Sequence, residues 1–429
     1  MAFYTLGDAL IKAGNNIIPA PCGDLKIVMI DINYGDAILC QTKNKNILFD
    51  TGGNTYVTNL YKTLEENNVS VIDHLFITHP HSDHYNALSH LFGIESKVGD
   101  DTVKGTYPIT VKNVYTNGFN RTFYMNTADV ALTQISNGQW SLASDAQKSA
   151  ARQTAAACKS ISYTTENQSN GTKKVTGFTG LLDASTYTQY ETRCQIYNEH
   201  MLNNSINHYI VQTTVANNRI NPITINLGDS LYFKAYWPVD SHIEYMGPFI
   251  NKVMAFNING CRNSSNEKYG HGHNTNNTSI LGKLLYKNFS MLITGDCSSA
   301  INNNLGISRT SAQDSLLGLT DPNELHCTVY KSCHHGQTAE NPLNWMQAIH
   351  PQYEFITTND NSTDSIRPNR IPLDNATLTG IKKDHIFCTR FQGNVTLVTD
   401  GNSKFITTQN KNPQWFDDWM ARYPKDKWV

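Results

Sequence analysis

The chain has 429 residues, a hydrophobic share of 39% and a formal net charge of −2 at pH 7. That length suffices for one large domain with insertions or for two ordinary ones, and the near-neutral balance demands neither a nucleic-acid nor a membrane partner. No apolar run approaches the ~18 residues that span a bilayer, so no membrane insertion is expected.

Nine cysteines at scattered spacings, with no Cys-x-x-Cys pair, argue against a disulfide framework. The first residues lack a basic region followed by an apolar stretch, so a cytoplasmic, reducing location is expected.

Residues 1–24 read as an N-terminal segment with a short helix over 6–13. A β-meander follows, with a strand over 25–32, a turn at 33–36, a return over 37–41 and a third strand from 47 ending in a glycine-rich bend at Gly52 and Gly53. Val57, Leu60, Tyr61 and Leu64 recur at helical spacing, which predicts an amphipathic helix over 56–67. Residues 71–78 are β-branched and aromatic enough for a buried strand, and a helix is expected near 85–91.

Residues 99–224 differ in texture and read as a partly helical insertion lying over or beside the site, or as surface decoration. Helical patterns occupy 144–158 and 185–202, and the polar stretch 164–174 reads as a linker. Strand character returns at 225–238, and a hairpin over 279–296 delivers Asp296 to a strand end. A short strand from Cys327 ends in His334 and His335, and strands at 353–357, 385–391 and 394–399 are expected to complete a second sheet. The tail, 406–429, is aromatic-rich and reads as packing. Domain limits are accordingly 25–98 and 225–405 for two halves of one domain, separated by the insertion.

The chemistry concentrates in residues 77–87, where His79, His81, Asp83 and His84 fall within six positions at the end of the predicted strand. Histidines two apart in extended backbone project to one side and can grip one ion, while Asp83 and His84 in the following turn can reach a second. Two neighbouring ions suit hydrolysis of phosphate or acyl groups. A polar helix cap would need only Asp83, leaving three histidines idle.

Taken with Asp50, Asp296, His334 and His335 in that order, the chain resembles the metallo-β-lactamase superfamily. Blocks at 31–39, 47–52, 276–279, 292–296, 331–336 and 389–401 are similar to the hydrolase domain of ComEC-type DNA-uptake proteins. The resemblance implies an α/β fold, an αββα sandwich, with the metals at one edge of two sheets. It also implies His79 and His81 on a first ion, Asp83, His84 and His335 on a second, and Asp296 bridging both. Asp50 would orient the loop without binding metal, and His334 would contact a substrate anion or protonate a leaving group. The reverse assignment of His334 and His335 stays open, as does completion of the first site by His271 or His273.

Imidazole and carboxylate ligands suit zinc first, with manganese or iron as alternatives. The expected activity is that of a metal-dependent phosphodiesterase on nucleic acid or a small phosphodiester, with Asp83 and His334 as catalytic residues. Ester, lactone or β-lactam hydrolysis is the alternative, and a catalytically silent metal-binding protein ranks below both. Cys297 and Cys333, beside proposed site residues, read as small buried residues in preference to redox switches or ligands.

Overall fold

The computed structural model describes residues 4–6, 9–13, 24–53, 56–94, 97–98, 101–102, 109–119, 162–179, 189–239, 276, 278–297, 312–358, 368–410, 412 and 414–423. Two large sheets face each other. The first grows from the meander Leu25–Met29, Ile38–Gln41 and Asn46–Phe49, antiparallel throughout. The helix Val57–Glu66 then carries the chain back to Val71–Phe76, which pairs parallel with Asn46–Phe49.

Strands from two distant stretches widen this sheet. Thr110–Thr116 and Asn207–Ile210 add in parallel on one side, followed by the hairpin Ser162–Asn167 and Lys173–Thr179. On the other side Val395–Thr399 pairs with Leu25–Met29, then come Lys404–Thr408, Ala9–Ala13 and Tyr4–Leu6. The second sheet runs in the order Ile223–Gly228, Leu231–Trp237, Leu281–Tyr286, Phe289–Ile293, Val329–Lys331, Tyr353–Ile356, Ile386–Cys388.

Alternation of side chains along each strand sorts the apolar residues into three cores. Ile27, Met29, Ile38 and Phe49 of the first sheet meet Phe233, Leu284, Met291 and Phe355 of the second. Phe49 stacks on Phe76 at 4.6 Å, and Phe233 lies 4.9 Å from Phe76, so aromatic rings fill the inter-sheet layer. Val28, Leu39 and Leu48 point the other way, against Leu60 and Leu64 of the helix Val57–Glu66 and Tyr197 of the helix Gln189–Asn203. Behind the second sheet, Leu292 and Tyr330 pack against Leu316, Trp345, Leu373, Trp415 and Trp419 from helices. Helix, sheet, sheet, helix is the expected αββα sandwich.

Several local expectations are corrected. Residues 6–13 hold strands, because Ala9–Ala13 finds an open edge at Lys404–Thr408 and sheet pairing overrides local helical spacing. Val395–Thr399 belongs to the first sheet. The polar stretch 164–174 forms much of a hairpin, turning at 168–172. The helix expected near 85–91 is two short turns, Ser82–Tyr85 and Leu88–Leu91, and beyond Ile386–Cys388 the backbone coils into the helix Thr389–Gln392. Within 99–224 four strands, Thr110–Thr116, Ser162–Asn167, Lys173–Thr179 and Asn207–Ile210, are integral to the first sheet, and Tyr197 meets Tyr85 at 5.8 Å beside the histidine cluster. The helical pattern at 144–158 lies outside the described residues. Among the described residues no helix is long and apolar enough to cross a membrane.

Candidate metal centre

Strand ends set the site. After Val71–Phe76 the chain bends at His79, is extended at His81 with φ −92° and ψ 149°, and coils at Ser82–Tyr85, so His79 and His81 precede one turn and Asp83 and His84 lie within it. Phe289–Ile293 and Val329–Lys331 are parallel neighbours, which brings the segments leaving them, with Asp296 and His335, side by side. The Ile280 amide donates to the Thr78 carbonyl at 2.8 Å, joining the edges of the two sheets at this point. His334 and His335 both take left-handed backbone, with φ of 47° and 57°. Such strain costs about 1–3 kcal/mol per residue and persists where surrounding structure enforces it.

Two groups of donors share Asp296. His79 Nε2 lies 3.1 Å from His81 Nδ1 and 3.7 Å from Asp296 Oδ2. Asp296 Oδ2 is also 3.2 Å from His84 Nε2 and 3.7 Å from His335 Nε2, and His335 Nε2 is 3.1 Å from Asp83 Oδ2. The nitrogens that face away are each tied down. His84 Nδ1–H donates to Asp50 Oδ2 at 2.8 Å, and His335 Nδ1–H to the Thr357 carbonyl at 3.0 Å. Asp50 in turn accepts the Thr78 amide at 2.6 Å and the Thr78 hydroxyl at 2.7 Å, and that hydroxyl lies 3.2 Å from His79 Nδ1. The Nε2 atoms of His79, His84 and His335 are thereby turned inwards.

These residues fit a pair of cations on two counts. His84 Nε2 and Asp296 Oδ1 are buried and have no hydrogen-bond partner among the described residues, a state that is costly unless something else satisfies them. Asp83 and Asp296 also lie in one donor group with His84 and His335, while Asp36 and Asp50 lie beside His84, so four carboxylates gather around the inward-facing imidazoles. Burial opposes a charge on His84, yet Asp296, Asp83 and Asp50 outweigh it and raise its pKa well above the ordinary value. Burial, joined by the neighbouring His84, lowers His79 well below it. Asp296 resists its burial and is held well below the usual carboxylate range by His84, His335 and His334.

A model of the metallo-beta-lactamase superfamily matches residues 30–98, the segment from the first strand's end through the histidine cluster. That segment of the chain is similar to the metallo-β-lactamase superfamily. The chain's mixed α/β architecture of large sheets and helices is consistent with that fold.

Solved structures similar to this chain include the metallo-beta-lactamase fold protein YhfI from Bacillus subtilis, at 10% identity, a TM-score of 0.35, and coverage of 85% of this chain and 96% of that one. A diphosphatase from the PhnP family matches at 9% identity and a TM-score of 0.33, covering 90% and 99%. MEM-A1, a subclass B3 metallo-beta-lactamase from a soil metagenome library, matches at 11% identity and a TM-score of 0.28, covering 73% and 78%. No curated protein matches the chain in sequence.

The structure brings His79, His81, Asp83, His84, Asp296 and His335 together. His334 stands at the rim, 13% exposed, with Nε2 at 3.6 Å from Asp296 Oδ2 and Nδ1 at 3.2 Å from Oε1 of the buried Glu340. Asp50 contacts the site through His84 and Thr78. His271 and His273 lie outside the described residues. Cys297 and Cys333 are buried, and burial pushes Cys333 up to about 11 and Cys297 well above its ordinary value, which fits packing and not a thiolate ligand.

Sequence reading assigned no role to Asp36, Lys331 or Glu340. Lys331 carried a signal, since a lysine inside an apolar strand must find a partner when it is buried.

Proposed function

We propose that the protein is a metal-dependent hydrolase acting on phosphodiester bonds, of nucleic acid or a small phosphodiester. The observation that carries this reading is the pair of donor groups sharing Asp296, with His84 Nε2 and Asp296 Oδ1 buried and without a hydrogen bond among the described residues. His79 and His81 would hold one divalent ion, Asp83, His84 and His335 the other, and Asp296 both. The donor set of imidazoles and carboxylates suits zinc, with manganese or iron as alternatives. Bound ions would supply Lewis acidity at the phosphoryl group and acidify coordinated water.

The chain's own residues would do the rest. Asp50 keeps the His84 ring oriented through Nδ1, and Thr357 does so for His335. At the rim, His334 Nδ1 lies 3.2 Å from Oε1 of Glu340, and an imidazolium held there by that carboxylate would carry a second proton at Nε2 to give to a leaving oxygen. Preference for phosphodiesters rests on the sequence blocks shared with ComEC-type hydrolase domains. The halves 25–98 and 225–405 would form the catalytic unit, and 99–224 would border its entrance.

Metal-loaded protein assayed against bis(p-nitrophenyl) phosphate, single-stranded DNA and nitrocefin tests this, with Asp83→Ala/His84→Ala as control. Cleavage of either phosphodiester, lost in the control, is the expected result. Turnover of nitrocefin alone would establish the β-lactam reading in its place. Failure on all three with metal content verified would reject hydrolysis of these classes.

A further inference from the structure

A third cluster, Asp36, Asp50 and His84, lies beside the two donor groups. Its chemistry excludes a third ion. His84 Nδ1 is taken by Asp50 at 2.8 Å, and Asp36 Oδ2 is paired with the ammonium of Lys331 at 2.5 Å. Both Asp36 and Lys331 are buried, Lys331 completely. A buried lysine is costly without a partner, and a buried carboxylate likewise, so each is retained only with the other in place.

The contacts of this pair reach every member of one donor group. Asp36 Oδ1 is 3.3 Å from His335 Nδ1, and Asp36 Oδ2 is 3.8 Å from His84 Nδ1. The Asp36 amide donates to the Asp83 carbonyl at 3.2 Å. Lys331 Nζ donates to the carbonyl of Gly295, the residue before Asp296, at 3.4 Å. The Thr357 hydroxyl donates to Asp36 Oδ1, and the Thr357 carbonyl accepts from His335 Nδ1–H.

Gly35 makes the approach feasible. Its φ is +118°, and a Cβ there would sit 2.0 Å from the Asp83 carbonyl oxygen. No contact of Asp36 or Lys331 to His79 or His81 occurs among the described residues.

We propose that Asp36 and Lys331 form a positioning pair dedicated to one of the two ion sites, that of Asp83, His84, Asp296 and His335. The inference rests on the metal-centre reading above. The carboxylate, paired with Lys331, lies 3.3 Å behind Nδ1 of His335 and 3.8 Å behind Nδ1 of His84, and backs both rings where Thr357 and Asp50 accept from Nδ1–H, so both Nε2 atoms face the ion. The ammonium and the Asp36 amide pin the backbone on either side.

Metal-free protein titrated with Co²⁺, followed by absorption and by elemental analysis of stoichiometry, tests the pair. Wild type should bind two ions. Asp36→Asn should weaken one by about 10- to 100-fold and leave the other unchanged, the usual cost of losing a partner behind a ligand. Thr357→Val, which removes one hydroxyl and keeps the carbonyl, should weaken the same ion by less, and it decides the matter if Asp36→Asn does not fold by circular dichroism. Wild-type affinity for both ions, or equal weakening of both, in the variant that folds would overturn the inference. If wild type bound no ion, the metal-centre reading would fall and take this inference with it.

Discussion

Oδ2 of Asp296 lies 3.2 Å from Nε2 of His84, and the same oxygen is 3.7 Å from Nε2 of His79 in the neighbouring donor group. One carboxylate thus faces both groups, whereas His84 belongs to one of them. Asp296→Ala should therefore lower occupancy of both ions, and His84→Ala should chiefly lower one. Elemental analysis after dialysis against limiting chelator distinguishes them. Identical losses from the two variants would contradict the shared role of Asp296.

His334 stands outside the metal-candidate groups, so His334→Gln should retain metal. A positioned general acid typically contributes 10²–10⁴-fold, and the benefit depends on how poor the leaving group is. The variant should lose roughly 10²-fold or more on an alkyl phosphodiester and about tenfold or less on bis(p-nitrophenyl) phosphate, whose phenolate departs unaided. Equal losses on both substrates, measured as kcat/KM, would remove the proton-donor role.

Glu354 sits in the second sheet on Tyr353–Ile356, fully buried, with neither carboxylate oxygen in a hydrogen bond. Burial raises its pKa from 4.5 to about 7, with the Ser332 hydroxyl nearby opposing the shift weakly. Below pH 4.5 the group is protonated in both folded and unfolded chains and has no effect on stability. As pH rises from there towards 7, the unfolded chain releases the proton and the folded one keeps it, so stability falls by about 3 kcal/mol and then levels off. Glu354→Gln should remove that slope, gaining about 3 kcal/mol relative to wild type between pH 4.5 and pH 8. Urea unfolding of the metal-free proteins across that range measures it, and a pH-independent difference would refute the account.

Much of the candidate site was legible because its donor residues are local. His79, His81, Asp83 and His84 follow one strand within six positions, so extended backbone followed by a turn suffices to place them together. Asp296 and His335 were legible as acids and bases delivered by strand ends. Their meeting depended on the parallel pairing of Phe289–Ile293 with Val329–Lys331.

Strand existence was readable from alternation at 394–399, whereas strand partnership was not. Val395–Thr399 pairs with Leu25–Met29 across nearly the whole chain, and a period of two says only that a segment has two faces. Ala9–Ala13 shows the same limit more sharply, since its helical spacing yields to an available edge at Lys404–Thr408.

The sequence by itself determined a layered α/β character, through apolar alternation and helical spacing, and the contiguous half of the candidate metal site, whereas the αββα order was implied by the family resemblance. Only the tertiary structure decided what stands behind the ligands. Asp36 and Lys331 are remote in the chain and meet because their charges, once buried by sheet pairing, are each stable only against the other.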